Sequence, residues 1–468
     1  MLVKTYCAAV NGLEITTVTI EVSMNPGVVY HLTGLGDKAV QEGRDRIAAA
    51  LLYCGFKFPK ADITVNMAPA DLKKEGSSFD LPLAIALLAA NGSIHTDCLD
   101  QYMMEMREYF HARPETSGNE FDTCKTIFRE LSLLGAEDIR IIAGTGVAAL
   151  IRGALPGPTV LLRAKTDAVA LDENNDLPYA SLVSGVMHAS GHDGLIANLL
   201  GLAKILISHN DQLHGTVRLV FEPNTEKGGC LDKMIDSGIL SNPSVDYVLD
   251  MQLDGSLKGG CLGLATGPLF ASRDDFRLTI HGKSGRPYAV PTDKNAFTTA
   301  LKFMHAAVTQ VDAFPNDKAS LSFSFDSNIS NLTALPACIS ISGTLRTYDS
   351  QIRDTLLQRL RSLYPNGHLT VIPRSDAGEN DTQLCEQAYQ IFAEYGTDRF
   401  TCLPMNPVFH SDDITRLTPK YPTLSIFAGI KHDTPVYDGS PDFIWDTVML
   451  KYTCEALATL VYYLPLYR

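Results

Sequence analysis

The nine residues MHASGHDGL, Met187 to Leu195, put two histidines and an aspartate beside a serine and two glycines. Imidazoles and carboxylates at such spacing hold divalent metals. Asp167 closes the run TVLLRAKTD, and His188, His192 and Asp193 stand just before a helix opening near Gly194. The same residues serve equally well as polar turn and cap groups around a helix start. Spacing alone does not choose between the two. TVRLVFEPNTEKGGC carries Glu222 and Glu226 where a strand should end. A strand-end carboxylate can be a ligand or a general base, or a capping group in a solvated loop. Further along come Asp250, Gln252 and Asp254 in VDYVLDMQLDGS, Arg286 in SGRPYAVP, and His432 and Asp433 in AGIKHDTPVYDG. Each of these, taken alone, reads as surface.

Such groups need elements to hold them. DIRIIAG, VAALIRG and TVLLRAKTD read as strands, and GLIANLLGLAKILISH reads as a helix. TVRLVFEP and VDYVLDMQL are further strands. The alternation predicts an α/β layer with helices on both faces, and chemistry at strand ends. Residues 276–376 differ: strand, helix, two strands, helix, strand, a βαββαβ unit inserted in the larger one. The chain resumes with the helix TQLCEQAYQIFAEYG and closes with IWDTVMLKYTCEALATLVYYL. Ahead of a junction near residues 93–108, VTIEVSMNPGVVYHLTGL reads as strand, turn, strand. DKAVQEGRDRIAAALLYCG reads as a helix ending at Gly55, ADITVNMAP as a strand and LPLAIALLAANG as a helix.

A chain of 468 residues exceeds one ordinary core, and 45% hydrophobic with 20% charged residues is a globular balance. The net charge of −14 argues against nucleic acid or an anionic membrane as partner. GLGDKAV lacks the spacing of a phosphate-binding loop, so no nucleotide is expected. HExxH and GxSxG are both missing from the sequence. The ten cysteines form no CxxC pair, and no apolar run is long enough for a membrane span. Reduced thiols in a cytoplasmic protein are the reading that follows.

Several of these segments, taken in order, resemble the M20 metallopeptidase family, in particular its amidohydrolase branch. REYFHARPETSGNEF is similar to H-x-x-P-E-x-x-x-x-E, and TVLLRAKTDA to a strand ending in R-A-D-M-D-A. LPYASLVSGVMHASGHDGL resembles L-P-Y…M-H-A-C-G-H-D-G-H, and GTLRTYD resembles G-T-x-R-T-F-D of the inserted domain. The resemblance covers about residues 104–468. It implies a catalytic α/β domain at 104–275 and 377–468, with a ferredoxin-like (βαββαβ) lid and dimerisation domain at 276–376. It implies a homodimer, and hydrolysis of N-acyl amino acids or peptides at a two-metal centre of Zn or Mn. Residues 1–98 resemble something else: the opening module of Mg-chelatase-like AAA ATPases of the competence-protein type. VNMAPADLKKEGSSFDLPLAI carries that likeness. Here it would be a truncated S5/Lon-like α/β module fused to the rest.

Position by position, the resemblance implies a metal set at His192, Glu226, Asp167, Ser190, Gln252 and Asp433, or His432 with a shift of one. It implies catalytic roles at Glu226, Thr225 and Arg286, and substrate contacts at Arg286, Asn331 and Lys165. Several of these types depart from the family. The bridging Cys is Ser190, the base Glu is Thr225, and one ligand His is Gln252. The late His falls on Asp433. The first acid of R-A-D-M-D-A is Lys165, and the insertion's His is Arg286. The changes fall on functional positions while the motifs around them stay legible. Two expectations follow: an amidohydrolase with unusual ligands, or a catalytically inactive relative that binds an acylated amino acid or peptide.

Overall fold

The computed structural model describes residues 2–11, 14–34, 40, 42–69, 72, 74, 78–91, 98–315, 318–326, 333–365, 367–396, 400–431 and 436–467. The chain divides into two compact units, Met1–Cys98 and Leu99–Arg468.

Among the described residues, the first unit is a four-stranded sheet with two helices. Its strands are β1 (Leu2–Asn11), β2 (Glu14–Asn25), β3 (Tyr30–Thr33) and β4 (Asp62–Ala68), in the order β1-β2-β4-β3. Val18, Ile20 and Val22 alternate along β2 and Ile63, Val65 and Met67 along β4, so each strand turns one apolar face inward. The helices Gly43–Tyr53 and Asp80–Ala90 supply Ile47, Leu51, Leu83 and Leu87 to the same core. The loop GLGDKAV lies largely outside the described residues.

In the second unit the strands run as β5 (Glu137–Ile142), β6 (Gly146–Arg152), β7 (Leu155–Lys165), β8 (His214–Glu222), β9 (Tyr247–Lys258) and β10 (Cys261–Leu264). After β11 (Gly267–Phe270) come β12 (Ser272–His281), β13 (Ala319–Phe325), β14 (Cys338–Thr347) and β15 (Leu369–Ser375). β16 (Gly378–Asn380), β17 (Thr401–Pro404) and β18 (Thr423–Lys431) complete the set. Eight strands form the large sheet, in the order β17-β10-β18-β9-β7-β8-β6-β5. Its centre, β18-β9-β7-β8, is parallel. Parallel strands are covered on both faces and read as unbroken apolar runs. Accordingly Val160, Leu161, Leu162 and Ala164 of β7 are all buried. The helix His192–Ser208 lies between layers and is buried on nearly every side.

Residues 272–375 form a separate antiparallel sheet, β13-β14-β12-β15, with two helices on one face. This is the ferredoxin-like strand order. β12 and β14 alternate buried and half-buried residues, as a sheet with one covered face requires. The helix Ala296–Asp312 is capped by the Asn295 side chain, which accepts from the Phe297 amide. Asp349 caps Ser350–Leu363 in the same way. Arg353 of that helix holds both Asp274, where the chain enters the insertion, and Asp376, where it leaves. The first strand starts at Ser272, ahead of the expected Phe276. Among the described residues, no helix is long and apolar enough to cross a membrane.

Candidate functional site

β7, β8 and β9 end side by side, and each delivers buried charged or polar groups. On β7, Arg163 and Lys165 are two residues apart and therefore share a face. Arg163 Nε donates to Glu222 Oε2 at 2.5 Å, and its Nη1 to Asp412 Oδ1 at 2.6 Å and Asp250 Oδ1 at 3.4 Å. Lys165 Nζ lies 2.6 Å from Asp412 Oδ2, 3.1 Å from Gln252 Oε1 and 3.4 Å from His410 Nε2. Gln252 in turn donates to Asp250 and Asp412.

Burial disfavours the Lys165 ammonium, but Asp412 outweighs it and raises the lysine's pKa. Burial likewise works against the Asp412 carboxylate, yet Arg163 and Lys165 hold it far below the usual range. Glu222 goes the other way. Burial pushes its pKa up to about 7, against the pull of Arg163, and its Oε1 has no hydrogen-bond partner among the described residues.

The second half of the site surrounds the helix start. Gly191 is the N-cap at φ +72°, and a Cβ there would come 2.5 Å from Leu253 Cδ1. Only glycine fits this turn. His192 Nδ1 lies 2.7 Å from the Asp167 carbonyl and 3.4 Å from its carboxylate. The Asp167 carboxylate also accepts from Ser117 Oγ at 2.5 Å, Thr225 Oγ1 at 2.6 Å and the Glu226 amide at 2.9 Å. Burial opposes the charged forms of both. The pairing wins, raising the His192 pKa and lowering that of Asp167.

Behind this turn, His111 Nδ1 and Arg107 Nε both meet Asp193 Oδ2. The Arg107 guanidinium lies 4.0 Å from the ring centre of Trp445. Trp445 is buried against Gly194, where any Cβ would strike the indole. His188 is fully buried, neither ring nitrogen has a partner among the described residues, and burial lowers its pKa to about 4.

Between the two halves opens a cavity of about 390 Å³, lined by Lys165, Ser190, His192, Glu226, Gln252 and Arg346 among others. That volume suits a small molecule. Strand β14 of the insertion contributes Arg346, which donates to the Phe409 carbonyl and Ser411 Oγ. Tyr348 stacks on Phe409 and reaches the Pro407 carbonyl. The insertion is thereby tied to the loop carrying His410 and Asp412.

The structure brings together Lys165, Asp167, Ser190, Thr225, Glu226, Gln252 and His192. Arg286 is exposed, and it is not among the residues lining this cavity. His432, Asp433 and Asn331 lie outside the described residues. The sequence reading did not single out Arg163, Arg346, His410 or Asp412. For Arg163 a signal was present: two cations on one face of an apolar strand must find carboxylates. Among the described residues, no group of three or more His, Cys, Asp and Glu side chains is placed to hold a metal ion.

An α/β sheet with a ferredoxin-like insertion and a polar cleft at its strand ends is the architecture of a metallopeptidase-type hydrolase fold. The model of peptidase family M20/M25/M40 matches residues 161–431, and the chain belongs to that family. Residues 20–106 match the model for subunit ChlI of Mg-chelatase. Thermostable carboxypeptidase 1 of Saccharolobus solfataricus is 28% identical over 351 residues, covering 72% of this chain and 87% of that protein. N-acetyl-L-cysteine deacetylase of Bacillus subtilis is 33% identical over 277 residues, 59% of this chain and 66% of that protein. Among solved structures, the Bacillus subtilis YxeP protein is described as a dinuclear metal-binding peptidase of family M20. It is 25% identical with a TM-score of 0.64, over 79% of this chain and 99% of that one.

Proposed function

We propose that this chain is a family member that binds an N-acyl amino acid or short acylated peptide without two-metal hydrolysis. One observation carries the reading. The Lys165 ammonium sits on Asp412 and Gln252 at 2.6 and 3.1 Å, putting a built-in cation at the strand ends. The residues present do not fit a two-metal centre. A pair of divalent ions brings about four positive charges, which anionic ligands must offset. Here Ser190 offers a hydroxyl instead of a thiolate, and Asp167 is engaged by Ser117, Thr225, His192 and the Glu226 amide. Thr225 cannot accept a proton near neutral pH. The ligand would sit in the cavity between the helix start and Arg346. The chain would act as a homodimer formed through the insertion, in a reducing compartment.

The test is elemental analysis after metal-supplemented purification, with calorimetry of N-acyl amino acids. Fewer than two metal equivalents, measurable binding and uncleaved ligand are expected. Two tightly held metals, with hydrolysis that a chelator abolishes, would overturn the reading. A second reading, hydrolysis by an altered site, draws on His192 and Glu226 lining one cavity. It requires chelator-sensitive turnover.

A further inference from the structure

Three features of the helix start have no use in ligand binding by charge. The Ser190 hydroxyl lines the cavity, is only half-buried, and has no hydrogen-bond partner among the described residues. His192 is 3% exposed and lines the same cavity. Its Nδ1 is committed to Asp167, with the backbone carbonyl at 2.7 Å and the carboxylate at 3.4 Å. A carbonyl can only accept, so Nδ1 carries a proton, and in the neutral form of the ring the lone pair lies on Nε2. Nε2 has no partner among the described residues, although the ring is almost wholly buried. A base whose orientation is fixed from behind by a carboxylate, with a hydroxyl in the same pocket, is the arrangement that activates a nucleophile.

We propose that Ser190 accepts an acyl group from an activated ester or thioester, with His192 as its base and no metal in the step. The proposal rests on the reading that the cleft admits acylated compounds. Ser190 Oγ attacks the acyl carbonyl while its proton passes to His192 Nε2. The bond from the acyl carbon to the leaving oxygen or sulfur then breaks, and the leaving group takes that proton. An acyl ester on Ser190 and a free alcohol or thiol result. Water, activated by the same nitrogen, returns the serine and releases the acid. The Lys165 cation in the cavity wall and the positive end of the helix dipole favour the developing oxyanion.

Activated esters fit better than amides. Their leaving groups are weak bases that depart easily with the proton held on His192, whereas an amine needs the help that a metal gives elsewhere in the family. Ser190 Oγ and His192 Nε2 are not hydrogen-bonded to each other in the structure. Such bonds commonly tighten only when substrate is bound.

The experiment uses the full chain in excess chelator with p-nitrophenyl acetate, followed by intact mass and peptide mapping. A single acetyl group on the peptide containing Ser190 is expected, together with a stoichiometric burst of p-nitrophenol. Ser190→Ala should abolish that label while keeping the wild-type melting temperature. His192→Asn should slow acylation about 10²- to 10⁴-fold. Labelling confined to lysines, an unchanged label in Ser190→Ala, or an unchanged rate in His192→Asn would overturn the proposal. Calorimetry of the unmodified protein with N-acyl amino acids separates the two ideas. Binding without acylation sinks the nucleophile and leaves the binding reading intact. Acylation that the chelator prevents sinks both.

Discussion

The two halves of the cleft stand only one strand end apart and treat their charges in opposite ways. At the ends of β7, β8 and β9, Arg163 and Lys165 pair with Glu222, Asp250 and Asp412, although Glu222 Oε1 and Arg163 Nη2 keep no partner among the described residues. Around the helix start, Asp167 gathers Ser117, Thr225, His192 and the Glu226 amide. That gathering leaves Ser190 Oγ and His192 Nε2 open to the cavity. The first half supplies rigidity and a fixed cation. The second retains reactive groups.

The contrast breaks most sharply through Arg163. Arg163→Met strands three buried carboxylates beside one lysine. It should cost about 3–5 kcal/mol in urea unfolding, the penalty typical of a buried charge left without its partner. Lys165→Met leaves Asp412 paired with Arg163, so a loss nearer 2 kcal/mol is expected in the same assay. A loss below that of a surface substitution would show that the lysine is not part of the ionic cluster.

The third test is pH. The folded-state pKa of Glu222 is raised from 4.5 to about 7, so the folded protein binds a proton that the unfolded chain releases earlier. Its contribution to stability is complete below about pH 4.5 and is lost as the pH climbs through about 7. Glu222→Gln should flatten the fall in melting temperature over that window. An unchanged slope would assign the proton elsewhere. The smallest effect belongs to the helix-start half. Thr225→Val removes one of several donors to Asp167 and should cost about 1 kcal/mol. If it cost as much as Arg163→Met, the two halves would not differ as described.

The frame of this site was legible because it rests on local patterning. β7 and β8 announce themselves as largely apolar runs ending in charge, and MHASGHDGL marks the helix start they serve. The βαββαβ order of the insertion was readable from the alternation of apolar and polar residues. The short strands β10 and β17 were not, since four residues carry too little periodicity. The partners of Lys165 were hidden for another reason. Asp412 and His410 lie some 245 positions further along in HSDD, a run with no local feature beyond polarity. Only the sheet order, which sets β18 beside β9 and β9 beside β7, draws the loop preceding β18 back to the cluster.

Trp445 is the one tryptophan in the chain, and its ring is buried between Arg107 and the glycine at the helix start. Every photon emitted under selective indole excitation therefore originates a few side chains from Ser190 and His192. Emission wavelength and quenching give an optical readout of this turn alone, free of background from the insertion or the N-terminal unit. Filling of the cavity, acylation of the serine and local opening of the helix start can each be followed in real time with no label attached.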